Sequence, residues 1–223
     1  MIDVVAIGIT NAGKSATLSA LADCRGLFPS RDVPRATRTV SAFEVGRLRL
    51  IDTPGLDASE LDTRQALATA FEAQRVLFCH SLRMGDLRPT ELAALATYRR
   101  GGTNVAGPGS RIVDRTWFVL THADDVANQR VADEIAEAIA GQLRRMFELP
   151  FLAPRAPAVE VGPGERPPRR LLFVANRRYW LARRHDGQVR EQLLAMSGIP
   201  RLLRCLQTEP RRDRARDTGR MTA

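Results

Sequence analysis

Ile2 to Ile7 is an apolar run broken only by Asp3, the pattern of a parallel strand buried on both faces. The period then changes. In "SATLSALADC" Leu18, Leu21 and Ala22 fall at helical spacing, so the chain opens as strand, loop and helix. Further on, Leu48, Leu50 and Asp52 alternate with Arg47, Arg49 and Ile51, and with "SAFEV" and Gly46 ahead of them the segment predicts a hairpin. "QALATAFEAQ" predicts a helix, "RVLFCHS" a strand, and "PTELAALATYRR" a helix with proline in its first turn. After the loop "GGTNVAGPGS" come a strand in "RTWFVL" and a helix over "VANQRVADEIAEAIAGQLRRMF". "RRLLFVANRRYW" is the expected last strand. Two short amphipathic helices follow, turning Val189 and Leu193, then Leu202, Leu203 and Leu206, toward the core. Strands alternating with helices predict an α/β fold with a mostly parallel sheet.

The length of 223 residues suits one large domain. We assign it to residues 1–207, with a proline-rich irregular insertion at about 148–170 and a basic, disordered tail over 208–223. No apolar run approaches the roughly 20 residues of a membrane span, and the start lacks the basic flank of a secretory signal. A cytoplasmic protein without integral membrane contact is expected. Cys24, Cys79 and Cys205 are widely spaced and expected to be reduced and buried; with His80, His122 and His185 they show no ligand spacing for a structural metal.

The formal charge of +9 would suit a nucleic-acid partner. Of the 34 lysines and arginines, however, Lys14 is the single lysine, a skew better ascribed to codon usage than to a binding face. Part of the excess, five arginines against three acids, also lies in "EPRRDRARDTGR".

That one lysine stands in "GITNAGKS", where Gly8, Gly13, Lys14 and Ser15 match G-x4-G-K-[ST] between strand and helix. Small residues at Asn11, Ala12 and Gly13 let successive amides face an anion, and the helix start at Lys14, Ser15 and Ala16 adds positive potential. Lys14 would act as a point charge on the outer phosphates, and the Ser15 hydroxyl would ligate Mg2+. Asp52 in "DTPG" would hold a water of that ion, and the Gly55 amide would contact a terminal phosphate. Thr37 or Thr39 should complete the magnesium shell; we take Thr37. The catalytic set is then Lys14, Thr37 and Gly55.

These segments resemble the translation-factor-related GTPases of the Era, TrmE and septin class, in Asn11 of the phosphate loop, "PRATR" with Thr37 before Arg38, "DTPG" at 52–55 and "THAD" at 121–124. The resemblance implies a P-loop NTPase of the Ras-like G-domain type with a mostly parallel six-stranded sheet. It also implies a GTPase that binds GTP and GDP. Asp124 would pair with guanine, beside Thr121 and His122, with Ala175 and Asn176 as the last loop against the base. His122 stands where the family usually carries lysine, as in the chloroplast import receptor GTPases, to which this segment is similar. The register "HADD" with Asp125 is the alternative, and both aspartates could instead cap the following helix. Asn11 matches the asparagine that potassium-activated members use for K+.

Leu56 departs from the small GTPases that carry glutamine after D-x-x-G, and leucine cannot orient water. Turnover by the monomer should be slow and helped by potassium, a partner, or Arg35 or Arg38 acting across a homodimer through the nucleotide face. A protein effector is expected, RNA or the ribosome a less favoured partner. Tyr179 and Trp180, between arginine pairs, are assigned to packing or closure over the nucleotide rather than to a nucleic-acid patch.

Overall fold

The computed structural model describes residues 1–28, 40–99, 111–156, 169–183 and 188–208. Thr37, Thr39, Arg35, Arg38, His185 and the tail from residue 209 onward lie outside them.

Among the described residues one sheet of six strands runs in the order β2, β3, β1, β4, β5, β8. Its members are β1 (Ile2–Ile7), β2 (Ser41–Val45), β3 (Leu48–Asp52), β4 (Arg75–Ser81), β5 (Thr116–Thr121) and β8 (Leu172–Phe173). β2 pairs antiparallel with β3, joined through Gly46 at a φ of 56°, and every other pairing is parallel. Parallel strands covered on both faces need apolar residues throughout. β4 is buried at every position and apolar from Val76 to Cys79, with Arg75, His80 and Ser81 as buried polar residues at its ends.

The helices are α1 (Lys14–Leu21), α2 (Glu60–Glu72), α3 (Pro89–Arg99), α4 (Gln129–Phe147), α5 (Asn176–Ala182), α6 (Glu191–Met196) and α7 (Ile199–Gln207). α2 begins earlier than the apolar spacing indicated. Ser59 caps it by accepting from the Asp62 amide at 3.1 Å, an S-x-x-D signal present in the sequence. α4 buries Ala132, Ala136, Ile139, Ala140, Leu143 and Phe147, the single stripe that helical periodicity requires. Its cap is Asn128, which accepts from the Val131 amide at 3.0 Å, so neither Asp124 nor Asp125 caps the helix. The ring of Phe118 stacks edge-on against Phe151 at 5.3 Å, closing the core below α4.

Four expectations are corrected. The proline-rich segment carries two-residue strands, β6 (Phe151–Leu152) and β7 (Arg169–Arg170), paired in parallel. The last sheet strand is only Leu172–Phe173, and Asn176 opens a helix rather than lying in a loop. α6 buries none of its residues, and Val189 and Leu193 are half-buried, whereas Leu202 and Leu206 of α7 are fully buried. Of the cysteines only Cys79 is buried; Cys24 is exposed and Cys205 half-buried.

Candidate functional site

β1 delivers the chain to the carboxyl edge of the sheet, where ligands of open α/β sheets bind. The loop that follows turns through left-handed backbone at Asn11 (φ 61°) and Gly13 (φ 79°). Gly8, with φ 150°, must be glycine, because a Cβ there would stand 2.2 Å from the Cys79 carbonyl oxygen. Gly13 precedes α1 with no side chain capping the helix, leaving its first amides to an anion. A Cβ on Gly13 would press on Thr121 at 3.1 Å.

Lys14 is buried and donates to the carbonyls of Gly8 at 3.2 Å and Ile9 at 3.0 Å, arching over the loop. Burial pulls its pKa below the usual lysine value, opposed by the charge of Asp52 first and by Cys79, Asp57 and Glu91 after it. A bound polyphosphate would supply the negative charge this ammonium is short of. Burial likewise pushes the Cys79 thiol up to about 12, so it stays neutral beneath the loop.

Ser15 donates its hydroxyl to Asp52 Oδ2 at 2.6 Å, and Asp52 is fully buried at the end of β3. Two oxygens from different elements thus converge beside the loop. Among the described residues no cluster of three or more His, Cys, Asp or Glu could hold a metal. This donor set instead suits Mg2+, which keeps several waters and takes one or two protein oxygens plus phosphate.

The "DTPGLD" segment lies against the same loop. The Leu56 amide donates to the Gly8 carbonyl at 3.1 Å, and the Leu56 side chain is buried. Gly55 crosses so close to Thr10 that a Cβ would meet its hydroxyl at 2.3 Å and its amide nitrogen at 2.7 Å. These contacts had no local signal in the sequence.

Thr121, at the end of β5, donates to the Ala12 carbonyl at 2.8 Å and joins this strand to the phosphate loop. His122 follows in left-handed backbone, with Nδ1 at 3.0 Å from the hydroxyls of both Ser81 and Thr121. Burial first, then Arg83, holds its pKa below the ordinary histidine value, so the ring is neutral at neutral pH. Asp124 Oδ2 accepts the Arg178 amide at 3.1 Å in the first turn of α5, whereas Asp125 pairs with Arg83. Asp124 rather than Asp125 therefore faces the start of α5. There Asn176 donates to the Thr17 hydroxyl at 3.1 Å, and Ala175 is buried, its amide donating to the Ser197 carbonyl at 2.9 Å. Tyr179 is buried and bonds Asp23 at 2.8 Å, so it packs rather than offering a free face to a base.

Residues 3–104 match a family model described as 50S ribosome-binding GTPase. That stretch resembles the GTPase family, and the fold is of the P-loop GTPase type. As a fold the chain resembles Toc33 from Arabidopsis thaliana in complex with GDP and Mg2+, at 16% identity and a TM-score of 0.59, over 92% of this chain and 82% of that one. A structure of the chloroplast translocon components atToc33 and psToc159, for which dimerization is described as important for GTPase activity, aligns at 16% identity and a TM-score of 0.60, over 92% and 81%. The bacterial selenocysteine-specific elongation factor EF-Sec aligns at 17% identity and a TM-score of 0.51. The chain spans 29% of the elongation factor's length, with 92% of its own residues aligned.

Proposed function

We propose that the chain is a nucleotide-dependent switch that binds GTP with Mg2+, hydrolyses it slowly to GDP, and uses residues 1–207 as its GTP-binding domain. The observation that carries this reading is the 2.6 Å bond between Ser15 and Asp52 beneath a loop crossed by the buried Lys14. Ser15 would ligate the ion directly and Asp52 through water, with Thr37 as the third contributor. The ion would supply charge neutralisation between the outer phosphates. Lys14 and the amides of Asn11 to Ala16 would hold the phosphate chain, and the Gly55 amide would bond the terminal phosphate. Hydrolysis then consists of attack by water oxygen on the terminal phosphorus as its bond to the bridging oxygen breaks, GDP leaving with that electron pair.

Asp124 would pair with guanine through its second oxygen, while His122, Thr121, Ala175 and Asn176 shape the base site. The buried Leu56 cannot present a group to the attacking water, which supports a low intrinsic rate. Help would come from a homodimer through the nucleotide face, in keeping with the dimerization of the translocon components, or from K+ at Asn11, whose side chain is exposed on the rim of the loop. The same buried leucine favours a second reading, an interaction module with negligible turnover. A ribosomal or RNA partner draws support from the family description and the charge of +9, but Tyr179 is committed to packing. Among the described residues no helix is long and apolar enough to cross a membrane, in keeping with a cytoplasmic location.

Phosphate release from GTP, followed over rising protein concentration in sodium and in potassium buffers, tests the proposal. The expected result is a slow basal rate that climbs with concentration or potassium. No release under any of these conditions leaves only the module reading.

A further inference from the structure

Asp57 is the first residue beyond the D-x-x-G segment and Leu56, and its carboxylate does not face open water alone. Oδ1 accepts the Thr10 backbone amide at 2.6 Å and the Thr10 hydroxyl at 2.7 Å. One carboxylate oxygen therefore takes both donors of a residue on the rim of the phosphate loop. Gly55 is pressed onto the same residue, so Thr10 adjoins the glycine assigned to sense the terminal phosphate. The order of the loop agrees. The amides from Gly13 onward open α1 and would serve the inner phosphates, which would leave the Thr10 side of the loop, against Gly55, to the terminal one. The charge of Asp57 also reaches Lys14, where it works against the effect of burial.

We propose that Asp57 is an intramolecular competitor of the terminal phosphate: its carboxylate latches the 52–57 segment onto Thr10, tolerates GDP, and is expelled by the added charge of GTP. This deepens the switch reading above and rests on it. A carboxylate and a phosphate oxygen cannot share one amide, and two like charges at that range repel. GDP leaves the outer rim to the carboxylate. Expulsion would free Gly55 to turn its amide inward and would move Ser59 and α2, which follow directly. The signal released by GTP is then the position of α2, and the latch biases the resting protein toward the GDP-compatible form.

The experiment measures the affinities of the full chain for GDP and for a non-hydrolysable GTP analogue, in magnesium, for wild type, Asp57→Ala and Asp57→Asn. Removing the latch should raise affinity for the analogue roughly fivefold or more, with GDP affinity changed by less than about twofold. Asp57→Asn keeps an acceptor without the charge and should fall between. If both nucleotides shift together, or the ratio does not move while wild type binds both, the latch is wrong and the GTPase reading survives. If wild type binds neither, both are overturned. A drop in analogue affinity on removing Asp57 would also overturn the latch, because it would make the carboxylate a ligand-binding group.

Discussion

Thr121 donates its hydroxyl to the Ala12 carbonyl at 2.8 Å, so the end of β5 is fastened to the loop that is proposed to hold the phosphates. The distance between the proposed base and phosphate sites is thereby fixed by one side chain as well as by the sheet. Thr121→Val keeps the shape and removes the donor. We expect it to destabilise the fold by about 1 to 2 kcal/mol, and to weaken GDP and GTP equally, as read by urea denaturation and by titration calorimetry.

Lys14→Ala should lower affinity for GDP and GTP by about 10 to 100-fold, the worth of a charged hydrogen bond to phosphate. It should leave the melting temperature of the unliganded protein unchanged or higher, because burial disfavours the ammonium that it removes. A large fall in both would mean that the lysine serves the fold first.

Gly8→Ala places a Cβ 2.2 Å from the Cys79 carbonyl, a clash with backbone that no rotamer relieves. A loss of about 3 kcal/mol in chemical denaturation is expected. Gly46→Ala, with no heavy atom within 4 Å of the added carbon, should cost only the strain of its positive φ.

Leu56→Gln tests whether the glutamine that small GTPases carry after D-x-x-G would act at this position. The side chain at this position is buried, so the amide enters the core instead of meeting water at the phosphate. No gain in GTP turnover is expected, together with a stability loss of about 2 kcal/mol from a buried polar group. Accelerated phosphate release in a multiple-turnover assay would show that this segment moves outward in the working protein.

His122 carries a pH signature whose sign follows from its lowered pKa. A histidine held below its ordinary value binds fewer protons folded than unfolded, so stability should fall as the pH drops below about 6.5 and level off beneath the folded value. Thermal melts between neutral and mildly acidic pH should show that loss in wild type and a smaller one in His122→Gln. Equal slopes would place the titrating group elsewhere.

Much of this was legible from residue order because it is local. The phosphate loop lies between β1 and α1 as the change of period indicated, and Asp52 ends β3 where the alternation stops. What was missed depends on contacts far apart in the chain. The last strand is short because Ala175 turns its amide to the Ser197 carbonyl, and Asn176 then starts a helix whose Arg178 amide is taken up by Asp124. No window around Asn176 contains those partners. The bond from Thr10 to Asp57 spans 47 positions and the pairing of buried His80 with Glu91, at 2.9 Å, joins a strand to a helix; neither leaves a periodic trace. α6 shows the opposite error, an amphipathic spacing with little core available to cover it. The start of α2 was readable, since Ser59 and Asp62 form a cap that the apolar spacing alone overlooks.

The most direct measurement is titration calorimetry of the full chain with GDP, GTP and ATP in magnesium. Saturable heat with both guanine nucleotides and none with ATP is predicted, the guanine response failing in Lys14→Ala. Equal binding of ATP, or no heat from either guanine nucleotide at high protein concentration, would contradict the account.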